Sequence, residues 1–208
     1  MQLNRKNWRE FFWKKISWTV RIFIVSDVLI IAGFGLVSPI FAIFVTEQIE
    51  GAGVEVVGIA ATIFLLVRSL GQLPIAAIID RIRGDLDDYW LLVIGAFVTA
   101  FVPLLYIFAS TPTHLYLIQV LYGILAAFTL PTWYALFTRH VDRNREGVEW
   151  SLYTTMTNIS AAATAGLGGF LAASFGFNVL FVVVSIVALI GSLILLIAHK
   201  DMRKAKFF

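Results

Sequence analysis

The sequence of 208 residues contains no cysteine. Disulfide frameworks, thiolate catalysis, iron–sulfur clusters and cysteine-based zinc sites are therefore excluded. Charged residues are also scarce, at 14% against about 25% in a typical soluble domain. Hydrophobic residues make up 60% of the chain, and this composition indicates a polytopic membrane protein. The net charge of +3 does not indicate a nucleic-acid partner, because the placement of basic residues matters more than their sum in such a protein.

Six apolar runs follow a polar start, most of them close to the ~20 residues that an α-helix needs to cross a bilayer. The runs cover 22–45, 56–79, 90–109, 115–137, 150–175 and 179–198. An all-α membrane protein with six transmembrane helices is therefore predicted. Only the short break at 176–178 separates the fifth run from the sixth.

Basic residues are missing from every second loop of this arrangement. Of the 16 lysines and arginines, 15 lie before the first run, in the 2–3 and 4–5 loops, or after the sixth run. The remaining one is Arg68, inside the second run. The positive-inside rule therefore predicts an integral membrane protein with both termini in the cytoplasm.

Two cytoplasmic segments flank the predicted transmembrane domain, 22–198. Segment 1–21 carries aromatic and basic residues at helical spacing, including Trp8, Phe12 and Lys15. Such a pattern predicts an amphipathic helix at the surface of the lipid bilayer. Its role is either that of an anchor or that of a partner-sensing or lipid-sensing element. Segment 199–208 is predicted to be a basic tail.

Two charged side chains lie within predicted spans. A charge at a helix centre costs about 2.5–3.5 kcal/mol on insertion scales, so Asp27 and Arg68 are expected to face protein or water rather than lipid. One interpretation pairs them as a structural ion pair. The other makes Asp27 a coupling carboxylate that takes up and releases a proton.

Polar and aromatic side chains share helical faces within three of the spans. Residues that are seven or eleven positions apart return to within about 20° of the same direction on an α-helix. The side chains predicted to line a solute path are Asp27, Phe34, Ser38, Gln119, Tyr122, Trp133 and Asn158. Because Asp27 is the only acid within a span, a cation is slightly favoured over a sugar or a neutral drug as the solute.

Several motifs together resemble the amino-terminal six-helix half of the major facilitator superfamily, nearest to its drug and tetracycline-efflux members. The first span carries a Gly-x-Gly-x-x-x-Pro pattern at 33–39. The 2–3 loop contains Asp80 and Arg81, similar to the Asp-Arg core of the family's cytoplasmic motif. Gln119 stands where the fourth helix of the family has an arginine, and 165–169 resembles the antiporter glycine motif without its proline.

The resemblance covers about 22–198 and implies two inverted three-helix repeats. It also implies a half-size secondary transporter, in which a second copy completes the alternating-access path of a small-molecule solute. Proton-coupled efflux is one form that this function could take. Asp80 and Arg81 are implied as a cytoplasmic gate.

The alternative is a membrane protein without transport activity, either a subunit that needs a different partner or a truncated half of a 12-helix transporter. An enzyme is not expected, because no G-x-S-x-G motif occurs and no adjacent spans carry paired carboxylates. The three histidines, His114, His140 and His199, all lie at span ends. No cofactor and no metal site are predicted.

Overall fold

The computed structural model describes residues 16–81, 84–199 and 202, and this part of the chain is helical and contains no strand. Its α-helices are α1 (Trp18–Val37), α2 (Phe41–Gln48), α3 (Val54–Arg81), α4 (Asp85–Thr99), α5 (Val102–Tyr106), α6 (Pro112–His140) and α7 (Glu146–Leu195). Most of the predicted interfacial segment and of the basic tail lies outside the described residues.

The helix boundaries follow from local chemistry. Ser17 caps α1, because its hydroxyl oxygen accepts a hydrogen bond of 3.3 Å from the backbone N–H of Val20. A short 3-10 turn that contains Pro39 separates α1 from α2. Thr111 caps α6 in the same way as Ser17 caps α1, and Pro112 occupies the first helical position, where its missing N–H has no cost.

Five helical segments are long and apolar enough to cross a membrane. They are Trp18–Gln48, Val54–Arg81, Asp85–Tyr106, Pro112–His140 and Glu146–Ala198. The last segment has 53 residues, which would extend about 80 Å as one straight helix, against a hydrocarbon core of about 30 Å. Gly176 interrupts this segment with φ 80° and ψ 167°, a backbone conformation that glycine adopts readily. Two stretches result, at 146–175 and 177–198.

The first stretch runs alongside α1 in the same direction. Near its start, the hydroxyl of Tyr153 donates a hydrogen bond of 2.7 Å to a carboxylate oxygen of Asp27. Farther along both segments, Thr164 lies against Gly35. Residue numbers therefore increase together along this contact.

The second stretch runs alongside α1 in the opposite direction. A Cβ placed on Gly33 would lie 3.0 Å from the carbonyl oxygen of Val184. Farther along the second stretch and nearer the start of α1, Ser26 donates a hydrogen bond of 2.8 Å to the carbonyl of Gly191. The chain thus reverses its direction at Gly176, although the two stretches form one continuous helical segment. The count of six separate spans stays a prediction.

The helices pack in two groups that enclose the interior. Helix α1 packs between the two stretches of α7, whereas α3 and α4 pack on α6. The two groups meet where α4 and α5 contact α7 and, to a smaller extent, where α1 contacts α6. One hydrophobic core includes Phe23 and Phe137, and a second, toward the other ends of the helices, includes Phe44 and Phe181. Between the two groups of helices lie the cavities described below.

Candidate functional site

Two cavities lie between the two groups of helices, and the larger of these two has a volume of about 350 Å³. Four of the seven predicted path residues line it: Phe34 in α1, Ser38 directly after α1, and Gln119 and Tyr122 in α6. The faces that helical periodicity predicts for α1 and for α6, two helices far apart in sequence, thus line the same cavity. A volume near 300 Å³ is at the lower end of the range for small-molecule sites.

Gln119 and Tyr106 form the polar part of this cavity. The amide nitrogen Nε2 of Gln119 donates a hydrogen bond of 3.2 Å to the hydroxyl oxygen of Tyr106. Both residues are buried, at 5% and 6% exposed, so the bond satisfies groups that would be costly to leave unpaired. Sequence reasoning missed Tyr106 because it lies in α5, a short helix after a break in the third span.

Aromatic rings form the apolar wall of the cavity. Tyr122 stacks on Phe34 with ring centroids 5.5 Å apart, and on Phe64 with centroids 4.6 Å apart. The guanidinium carbon of Arg68 lies 5.4 Å from the centroid of Phe64. We call the three rings Phe34, Tyr122 and Phe64 the aromatic row.

A second, smaller cavity of about 100 Å³ holds Asp27 and Trp133. Thr129 and Tyr153 also line it, and the hydroxyl of Tyr153 is the hydrogen-bond donor to Asp27. Trp133 is 7% exposed and stacks on Phe137 with centroids 4.7 Å apart. Asp27 and Trp133 therefore share a space, but it is distinct from the one that contains Gln119 and Tyr122.

Asp27 and Arg68 do not form an ion pair within the described chain. Asp27 accepts a hydrogen bond from Tyr153, whereas the guanidinium of Arg68 lies over the ring of Phe64. The physical reason is that α1 packs mainly on α7 and α3 packs mainly on α6, so the two helices that carry these charges do not pack closely against each other. The ion-pair interpretation is therefore wrong for this structure.

Asn158 lies apart from the other predicted path residues. It is exposed on the first stretch of α7 and lines neither of the two cavities. An exposed carboxamide on a membrane helix needs either water or a partner, because hydrocarbon cannot satisfy its hydrogen bonds.

Ion pairs join α6 to α4 at one end of the helix bundle. Arg139, in the last turn of α6, is 2.9 Å from Asp85 and 2.7 Å from Asp88, both in the first turn of α4. The side chain of Asp88 is only 5% exposed. The sequence did indicate this contact. Acidic residues at the start of the third span and a basic residue at the end of the fourth lie on the same predicted side of the membrane.

Comparison with known protein families gave a match that covers most of the chain. The sequence profile of the Major Facilitator Superfamily matches residues 23–207. The chain belongs to this superfamily. Its members are membrane transporters rather than enzymes, so the protein is an integral membrane protein that acts on a small-molecule solute. No curated protein and no solved structure gave a significant match.

The residues that resemble the superfamily's cytoplasmic Asp-Arg motif lie at the end of α3. Asp80 and Arg81 are exposed there, next to 82–83, which are outside the described residues. The ion pairs at this end involve Asp85 and Asp88 with Arg139 instead. Among the described residues, no group of three or more metal-ligating side chains occurs.

Proposed function

We propose that this chain is a half-size secondary active transporter, in which one six-helix unit pairs with a second copy to build a 12-helix alternating-access path. The observation that carries this proposal is the cavity of about 350 Å³ between the spans, with Phe34, Ser38, Gln119 and Tyr122 in its wall. Membership of a transporter family makes such a cavity a candidate solute site. The efflux subtype rests on the motif resemblance alone.

The six-span arrangement is supported by the reversal of the chain at Gly176, since the two stretches of the last segment contact α1 in opposite order. Two inverted three-helix repeats would make α1 and α6 equivalent. Each has a glycine followed by a proline: Gly33 in α1 precedes Pro39 in the turn directly after α1, and Gly123 precedes Pro131 within α6. The sidedness of the basic residues supports a cytoplasmic location of both termini under this proposal.

A polar stripe on α7 favours a protein partner over lipid. Within the first stretch, one face is exposed and contains only small or polar side chains. These are Ser151, Thr155, Asn158, Ala162 and Gly166. Nothing lies within 4 Å of a Cβ placed on Gly166, so another helix could approach closely. A lipid-facing surface is instead expected to carry large apolar side chains.

A comparable stripe runs along α3. Gly58, Thr62, Ser69 and Gln72 share one face of this helix with Leu65. Since α3 packs beside α6 and α7 packs beside α1, the two stripes belong to different groups of helices. A two-fold axis through the cavity sets the α3 stripe of one copy against the α7 stripe of its partner.

The ends of this interface provide the gate in our proposal. Asp80 and Arg81 are exposed at the end of α3, where a second copy could reach them. The contact of Arg139 with Asp85 and Asp88 fixes the neighbouring helix ends within one copy. A charge contact between copies can then bias the outward-open state against the inward-open state.

Proton coupling is assigned to Asp27 within this proposal. Its carboxylate is enclosed by α1, α4, α6 and α7 and has the Tyr153 hydroxyl as its donor. An intramembrane carboxylate of this kind is a candidate proton carrier. We expect Asp27→Asn to leave protein in the membrane and to make solute transport independent of an imposed pH gradient in proteoliposomes.

Disulfide cross-linking tests the pairing, because the chain has no cysteine of its own. Ser69→Cys and Asn158→Cys lie at matching depths in the membrane. Ser69 is about 18 Å of helix from the end of α3 and Asn158 about 18 Å from the start of α7, which lie on the same predicted side of the membrane. We expect co-expressed copies that carry one cysteine each to form a cross-linked dimer. The matched control uses the adjacent positions Leu70→Cys and Ile159→Cys, which are 75% and 64% exposed on the apolar faces.

Cross-linking of the stripe pair without the control pair would support the two-fold dimer. Equal cross-linking of both pairs would indicate random collision in the membrane. If neither pair reacted while solute still moved, transport would not depend on this interface. A protein without dimer and without transport would instead be the non-transporting subunit or the half that needs another partner.

A further inference from the structure

Arg68, in the middle of a membrane helix, has no ion-pair partner among the described residues. It lies near the centre of α3, about 20 Å of helix from either end. Its Nε is buried and has no hydrogen-bond partner among the described residues. The residue as a whole is half-buried, but a buried N–H without an acceptor is costly. Such a group is expected to have a binding role.

The surroundings of Arg68 are aromatic. Its guanidinium carbon lies over Phe64, one end of the aromatic row that continues through Tyr122 to Phe34. Ala61 and Phe64 line the larger cavity, and Arg68 is on the same face of α3, one turn beyond Phe64. Arg68 does not itself line the cavity. Its positive charge lies over Phe64, whose ring is part of the cavity wall.

No acidic residue lines the larger cavity. Asp27 is in the smaller cavity, bonded to Tyr153, and the ion pairs found in the described part of the chain belong to Arg139. A cationic solute is favoured only if Asp27 faces the path of the solute. Because the two cavities are separate, Arg68 rather than Asp27 sets the sign of charge next to the larger one.

We infer that the larger cavity binds an organic anion with a flat aromatic body, whose oxyanion group is held by Arg68 and whose ring packs on the aromatic row. A guanidinium presents paired N–H donors that match a carboxylate or a similar oxyanion. Arg68 lies too deep for a lipid headgroup to supply this anion, since both ends of α3 are about 20 Å away. The inference rests on the proposed transport function and names its substrate class.

The test compares three naphthalene probes of similar shape, naphthalene-2-carboxylate, naphthalene-2-carboxamide and 2-naphthylmethylammonium. Binding is measured by isothermal titration with the full chain in nanodiscs, after subtraction of the signal from empty nanodiscs. We expect the carboxylate to bind roughly tenfold to a hundredfold tighter than the carboxamide, and the ammonium to bind weakest.

Three variants separate a binding role of Arg68 from a structural one. Arg68→Gln is expected to remove the preference for the carboxylate, and Arg68→Lys to retain part of it because the charge remains. Arg143→Gln, the same change in an exposed loop, is the matched control and should bind like the unaltered protein. If Arg68→Gln does not fold, the probe order in the unaltered protein and in Arg68→Lys decides the matter.

A stronger binding of the ammonium or the carboxamide, or an unchanged carboxylate affinity in a folded Arg68→Gln protein, would overturn the inference. So would the absence of binding by all three probes. Uptake of radiolabelled naphthalene-2-carboxylate into proteoliposomes distinguishes the two proposals. Binding at Arg68 without uptake would refute transport and keep the site, whereas uptake of a solute without any effect of Arg68→Gln would refute the site and keep transport.

Discussion

The hydrogen bond between Tyr153 and Asp27 gives the most quantitative prediction. Tyr153→Phe removes a donor that lies 2.7 Å from the carboxylate of Asp27 and leaves the rest of the ring in place. A hydrogen bond to a charged group contributes about 1.5–3 kcal/mol. We therefore expect Tyr153→Phe to lower the free energy of unfolding by an amount in this range.

The assay is a double-mutant cycle measured by chemical unfolding in a mild detergent. Asp27→Asn, Tyr153→Phe and the double variant are expected to show a coupling of at least about 1 kcal/mol, because the two side chains contact each other. The parallel cycle with Asp27→Asn and Arg68→Gln is expected to be additive within about 0.5 kcal/mol. A larger coupling of Asp27 with Arg68 than with Tyr153 would refute the helix packing described above.

Three further predictions concern the ion pairs, the glycines and the topology. Arg139→Gln should lower the free energy of unfolding by about 1–3 kcal/mol, because it leaves the buried carboxylate of Asp88 unpaired. Arg143→Gln, in an exposed loop, should change this free energy by less than about 0.5 kcal/mol. Thermal unfolding of both variants checks this. Gly168→Ala should destabilise strongly because its Cβ would collide with the backbone of α1, whereas Gly166→Ala meets open space and should be tolerated; equal melting temperatures would contradict the close packing. Single cysteines at Arg143 and Glu50 should be labelled from opposite sides of the membrane, the first only from the cytoplasm, and labelling of both from one side would contradict the predicted topology.

Much of the fold could be predicted from the sequence because a membrane imposes strong constraints. Apolar runs long enough to cross it predicted the helical segments, and the break at 176–178 predicted the reversal at Gly176. Helical periodicity also predicted which side chains of one helix point together. This is why Phe34 and Ser38, and likewise Gln119 and Tyr122, line the same cavity.

Contacts between helices were harder to predict, because periodicity gives the faces of a helix but not its neighbours. Pairing Asp27 with Arg68 assumed that consecutive spans pack together, whereas α1 packs on α7. For the same reason Tyr153 was not recognised as the partner of Asp27. The site thus depends on packing between segments that are more than a hundred residues apart.

The number of chains in one functional unit tests the central claim most directly. Native mass spectrometry of the full chain, released from nanodiscs that were loaded at low protein-to-disc ratio, measures it without any substitution. Our account predicts two chains in each released particle, for a protein preparation that transports solute when it is reconstituted into vesicles. Particles with a single chain that still transport solute after reconstitution would contradict it.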